Sequence, residues 1–107
     1  MSFTIEWSPA ASNDLEIILD YIYLESPTHA GDLLVKIGKA VSRLSDFPQS
    51  GRMVPELKRL NITSYREIIK DHWRIIYRIF DTKVRILSVL DNRRDIDDIL
   101  MQRTLGI

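Results

Sequence analysis

The sequence has no cysteine, which excludes disulfides, thiolate nucleophiles and cysteine-ligated metals. Its two histidines, His29 and His72, are 43 positions apart and make no recognisable metal site. The four glycines, Gly31, Gly38, Gly51 and Gly106, compose neither a dinucleotide-binding nor a P-loop fingerprint. No cofactor and no metal are therefore expected. No apolar run approaches the roughly 20 residues needed to span a bilayer. The segment Met1 to Trp7 lacks the basic and apolar regions of a signal peptide. The expectation is a cytoplasmic protein without membrane contact.

Net charge is also absent, but its distribution is uneven. Residues 1–51 carry three basic and seven acidic side chains, a net of −4, whereas residues 52–94 carry eleven basic and five acidic, a net of +6. A basic half of this kind can bind phosphates or an acidic peptide, or simply form a solvated charged face. With 107 residues, 45 % of them apolar, the chain has room for one core, and residues 1–107 are read as a single domain. A core of this size confers modest stability, which a protein partner binding only the folded state would raise.

Hydrophobic spacing predicts the elements. Phe3, Ile5 and Trp7 alternate along a short first strand. Ser8-Pro9 supplies an N-cap and first helical residue, after which Ala11, Leu15, Ile18 and Ile22 fall on one helical face. A second helix is expected from about Thr28 to Asp46, with Ala30, Leu34, Ile37, Val41 and Leu44 as its stripe. Pro48 and Gly51 stop it. Residues 52–64 read as a loop with an uncertain strand. Three strands follow, Tyr65 to Lys70, Trp73 to Phe80 and Val84 to Leu90. Their short connections make neighbours antiparallel. In the middle strand Trp73, Ile75, Tyr77 and Ile79 suit packing beneath the helices, which would leave Arg74 and Arg78 on an open face. Asp95, with Asp97 and Asp98 beside it, suits the start of a short C-terminal helix.

These pieces occur in an informative order. Trp7-Ser8-Pro9-Ala10-Ala11, Asp14-Leu15 and Tyr21-Ile22 lead to Leu44-Ser45-Asp46-Phe47-Pro48-Gln49-Ser50-Gly51. Tyr65-Arg66-Glu67-Ile68-Ile69, Trp73-Arg74-Ile75-Ile76-Tyr77-Arg78 and Arg93-Arg94-Asp95 complete the series. The chain resembles the ParE/RelE toxins of type II toxin–antitoxin systems (plasmid stabilisation proteins), in their ParE-like branch. The resemblance implies an α+β fold, in which an N-terminal strand and an α-helical hairpin pack on a twisted antiparallel sheet and a short C-terminal helix follows. It also implies a ParD-like antitoxin that wraps the toxin in a hetero-oligomer. For the target it implies DNA gyrase in the ParE-like branch, and messenger RNA on the ribosome in the RelE-like branch.

Metal-free RNA cleavage needs a base, an acid and cations around the phosphate. Arg74 matches the family's sheet arginine, Arg94 stands near a second one, and His72 is the candidate proton-transfer group; these three would serve a metal-independent endoribonuclease. Leu100 and Asp91 stand where RelE-like relatives carry tyrosine and histidine. That departure favours a protein inhibitor of gyrase over an enzyme. The alternatives are a ribosome-dependent endoribonuclease and a degenerate module that keeps only antitoxin binding. Arg66, Arg74, Arg78, Arg93 and Arg94 are the candidate contacts to antitoxin or target.

Overall fold

In a computed structural model, which describes residues 2–93, strand β1 (Thr4–Trp7) runs into helix α1 (Pro9–Glu25). The Ser8 hydroxyl accepts from the Ala11 amide at 3.1 Å and so caps the helix, with Pro9 preset in its first turn. One residue, Ser26, separates α1 from helix α2 (Pro27–Ser42). Its amide donates to the Ile22 carbonyl at 2.9 Å, while its hydroxyl accepts from the His29 amide at 3.3 Å. The same residue thus closes one helix and opens the next, which folds the pair into the expected hairpin. A 3₁₀ turn (Arg43–Ser45) ends α2, and Ser45 exchanges hydrogen bonds with the backbone of Phe3, both at 2.7 Å.

Strand β2 (Arg52–Met53) and a single helical turn, α3 (Pro55–Lys58), come next. The sequence reads here as a loop with an uncertain strand; β2 is a strand within it, and the helical turn, which begins at Pro55, is not anticipated. Strands β3 (Tyr65–Lys70), β4 (Trp73–Phe80) and β5 (Lys83–Asp91) follow close to the predicted limits. The left-handed backbone positions of their turns fall on Asp71 (φ 55°) and Asp81 (φ 48°), a residue type that tolerates them.

The five strands lie in the order β1-β5-β4-β3-β2. Neighbours from β2 to β5 are antiparallel, whereas β1 pairs parallel with β5, so the sheet is mixed at one edge. The α1–α2 hairpin covers one face. Beneath it Ala11, Leu33, Ile37, Val41 and Leu44 pack on Ile75, Tyr77, Val84, Ile86 and Val89. Two features depart from simple periodicity. Leu33, and not Leu34, points into this core, and Leu34 is exposed. A bulge places Ile76 opposite Ser88 but Tyr77 opposite Ile86, leaving Leu87 extra in β5. That extra residue reverses which side chains face the helices, so Val84 and Ile86 share a face with Val89. Beyond the end of β1, the Val89 amide donates to the Asp14 carboxylate at 3.0 Å.

On the other face α3 and its flanks build a smaller cluster of Val54, Leu57, Tyr65, Ile76 and Leu90. This corrects the expectation of an open face around Arg74 and Arg78. The proposed C-terminal helix, with Asp95, Asp97 and Asp98, lies outside the described residues, as do Arg94 and Leu100. Among the described residues no helix is long and apolar enough to cross a membrane.

Candidate functional site

Arg74 is the second residue of β4 and shares its face with Glu67, which stands on the diagonal in β3. β2 sets Arg52 opposite Glu67, and α3 brings Glu56 over Arg74. The Arg74 Nε donates to Glu67 Oε1 at 2.6 Å, while Nη1 and Nη2 donate to the two Glu56 carboxylate oxygens at 2.6 and 2.7 Å. Arg52 Nε completes the network on Glu67 Oε2 at 2.7 Å. Two cations meet two anions, so the cluster is neutral. The Arg74 side chain is 7 % exposed and that of Glu67 0 %. A guanidinium buried this far needs both carboxylates, because desolvation without pairing costs several kcal/mol.

Protonation follows the geometry. The Arg74 hydrogen bonds hold the Glu56 carboxyl below its usual range, although partial burial opposes them. Glu56 and Glu67 in turn push Arg74 upward against its own desolvation. The guanidinium stays charged, and it already carries the bidentate partner that a phosphate would otherwise supply.

The other candidates disperse. Arg78 shares the Arg74 face four residues along β4, roughly 13 Å away at strand spacing. Its guanidinium lies 4.6 Å from the Phe80 ring centre and 5.4 Å from that of Tyr65, an arrangement that favours the cation. Arg66 is on the opposite face and donates to the Gly51 carbonyl at 2.7 Å and the Gln49 carbonyl at 3.4 Å. Arg93 closes on Asp91 through Nη2 at 2.7 Å and Nε at 3.0 Å, and this contact draws the Asp91 carboxyl down to about 2. His72 occupies the β3–β4 turn, with its ring 4.3 Å from that of Trp73 and its carbonyl accepting from the Asn92 amide at 2.8 Å. His29 is exposed in the first turn of α2. Arg66, Arg74 and Arg78 therefore meet three separate sets of partners. Arg74 is engaged by Glu56 and Glu67, whereas the His72 ring lies against Trp73.

Sequence reasoning missed Glu56, Glu67 and Arg52. Glu67 alternates with Tyr65 in a strand whose limits the sequence predicts, so a buried acid opposite arginines was the available signal. Glu56 had none, because its role depends on where α3 comes to rest. Tyr77 has a structural role, in which its hydroxyl donates to the Pro48 carbonyl at 2.7 Å and accepts from the Gly51 amide at 3.0 Å. Burial raises its pKa, so it stays protonated and keeps that bond. Among the described residues no group of three metal-ligating side chains converges.

With this architecture in view, the family pattern described as the ParE toxin of the type II toxin–antitoxin system, parDE, matches residues 5–96. The chain belongs to the ParE toxin family. No curated protein sequence matches it, but solved structures do. A chain of the chromosomal ParDE toxin–antitoxin system from P. aeruginosa superposes with a TM-score of 0.66 at 20 % identity, over 84 % of this chain and 96 % of that one. A chain of the RelBE2 toxin–antitoxin complex from Mycobacterium tuberculosis gives 0.59 at 22 % identity, over 85 % and 99 % respectively. At such identities the likeness establishes a shared ParE/RelE fold, and this ParE-family toxin has its hairpin-on-sheet core in common with both.

Proposed function

We propose that this ParE-family toxin inhibits DNA gyrase by binding it, and is not a ribonuclease. In this reading a ParD-like antitoxin neutralises the toxin in the cytoplasm as a hetero-oligomer. The observation that carries the choice is the state of Arg74. The sheet arginine that a ribonuclease would aim at a scissile phosphate is buried and bound by two carboxylates. Exchanging them for a phosphate would leave the buried Glu67 carboxylate with Arg52, whose side chain is 58 % exposed, in place of a buried partner. The roughly 13 Å along β4 between Arg74 and Arg78 supports the same choice, because the cations that stabilise a scissile phosphate must converge on it within hydrogen-bond reach. The two solved structures compared above come from toxin–antitoxin systems, which supports the antitoxin partner.

Arg66 and Arg74 serve internal contacts in this reading. Arg78 and Arg93, at the surface, and Arg94 are the arginines proposed for contact with antitoxin or target. Purified toxin is expected to inhibit gyrase supercoiling and to leave ribosome-bound messenger RNA intact, and added antitoxin should relieve the inhibition. Codon-phased cuts on translating ribosomes, with supercoiling unaffected, would reverse the assignment. Inactivity in both assays would identify a module that retains antitoxin binding alone.

A further inference from the structure

The acidic first half of the chain, residues 1–51, has three basic residues, Lys36, Lys39 and Arg43. Lys36 and Lys39 lie on α2 and Arg43 at its end, at spacings of three and four that put them in one row. The row forms one wall of a groove of about 910 Å3, and Arg52 of β2 and Lys70 of β3 stand across it. Five cations thus line a space that contains two carboxylates, Glu67 and Asp71, a net of +3. Both carboxylates already have partners. Glu67 is buried against Arg74 and Arg52, and Asp71 meets Lys36 at 3.4 Å, with both side chains about half exposed. Lys39, Arg43 and Lys70 are exposed and pair with no carboxylate among the described residues. Like charges at these spacings destabilise a helix, and an anion from outside would remove that repulsion.

Shape and chemistry narrow the ligand. From Lys36 to Arg43 the row extends about 10 Å at helical rise, about three phosphate steps along one strand of duplex DNA. An acidic extended peptide fits less well, because it would need a strand edge to pair with. The Val54 amide donates to the Tyr65 carbonyl and Arg52 stands opposite Glu67. Tyr65, Glu67 and Ile69 therefore turn their backbone groups to that edge of β3. Val54 and Arg52 occupy the first two positions, which leaves Ile69 open before the turn at Asp71. One residue is too short a stretch for strand addition. The groove lining includes no aromatic side chain, so the unstacked bases of a single strand would find no platform. A duplex keeps its bases stacked and presents its phosphates.

We infer that the groove between α2 and β3 holds the phosphate backbone of duplex DNA, without regard to base sequence. Lysine and arginine contacts to phosphate fix position but carry no base information, and each releases counterions from the duplex. The groove lies on the hairpin side of the β3 edge, where Ile68 in its lining packs against the hairpin core. It is separate from the face on which α3 covers Arg74. The inference does not depend on the identity of the toxin's target.

The test uses the full chain and two short fluorescein-labelled DNA duplexes of unrelated sequence, with binding read by fluorescence anisotropy. Both should bind, within about twofold of each other, and affinity should fall steeply as salt rises. Lys39→Glu with Arg43→Glu should weaken binding by about tenfold or more, while circular dichroism stays unchanged because both side chains are exposed. Lys39→Ala with Arg43→Ala should make the logarithmic salt dependence shallower by about two. Lys58→Glu with Arg59→Glu changes the net charge as much as the first pair but on the α3 side of the sheet, and should leave binding within about twofold. An equal loss from that control, unchanged binding by the groove variants, or no binding by the native chain at low salt would overturn the proposal. So would tighter binding of the separated single strands, or of polyglutamate of matching charge, since either would put a different ligand in the groove.

Discussion

The two faces of the sheet bury their side chains by different physics. Under the α1–α2 hairpin the interior is apolar, with Ile37, Leu44, Ile75 and Tyr77 all fully buried. Under α3 the apolar cluster is half as large, and beside it stand Arg52, Glu56, Glu67 and Arg74. Apolar packing is non-directional, so the hairpin can be held by many interchangeable contacts. An ion network is held by direction and distance, and every member must be present. The hairpin face is therefore expected to lose stability in graded steps, whereas the α3 face should fail when a single charge is removed.

The sharpest contrast should come from Glu67. Glu67→Ala leaves the buried Arg74 with one carboxylate and releases Arg52, which should cost about 3–5 kcal/mol in denaturant unfolding. Converting the pair together, with Glu67→Leu and Arg74→Met, should restore most of that loss, because a buried ion pair can be exchanged for apolar side chains at little cost. A loss below about 1 kcal/mol for Glu67→Ala, the size expected of an exposed pair, would show that water screens the network and would erase the contrast.

On the hairpin face Ile37→Ala should cost about 2–5 kcal/mol, the range for a fully buried aliphatic side chain. Leu34→Ala, at an exposed position on the same helix, should stay within about 0.5 kcal/mol. Thermal or denaturant melts of the two variants decide this, and the opposite ranking would mean that α2 is rotated about its axis.

The smallest effect concerns acid. The Glu56 carboxyl is held below its usual value of 4.5 by Arg74. Its ionised form therefore contributes stability that is fully present above that value and is lost as pH falls through the lower folded value. Unfolding curves of the native chain should lose stability on acidification below about 4.5, and Glu56→Gln should flatten that part of the profile. Since Glu56 is partly exposed, solvent screening keeps the difference small. An identical acid slope in both proteins would place the acid sensitivity elsewhere.

Much of the architecture is legible in the chain, and each such feature rests on local chemistry. Ser8-Pro9 announces α1, and Pro48 with Gly51 announces the stop after α2. Alternation in Trp73 to Phe80 assigns Ile75 and Tyr77 to the hairpin face. Gly51 is needed for a different reason from the one its sequence context suggests. A Cβ there would lie 2.5 Å from the Tyr77 hydroxyl and 2.6 Å from the Glu67 carbonyl, so the position demands space, where the sequence suggests only a stop after α2. The candidate site is less legible. Arg74 stands out in the sequence as a distinctive residue, but its isolation from solvent does not, since α3 occupies only Pro55 to Lys58 and too few residues to show a period.

The sequence alone determined which segments become helices and strands, because capping residues, turn residues and side-chain periodicity act over a few neighbouring positions. It also determined that one half of the chain is acidic and the other basic. Only the tertiary structure decided what those charges do. The closure of α3 over β4 turned Arg74 from an open cation into one member of a neutral buried cluster, through contacts between residues 7 and 18 positions apart. The bulge at Leu87 decided which residues of β5 face the hairpin. Docking of the helices decided that Leu33 is inside and Leu34 outside, since a stripe fixes a helical face only to within about one residue's rotation of 100°. Long-range contacts of this kind depend on where elements meet in space, and no local pattern in the chain encodes that position.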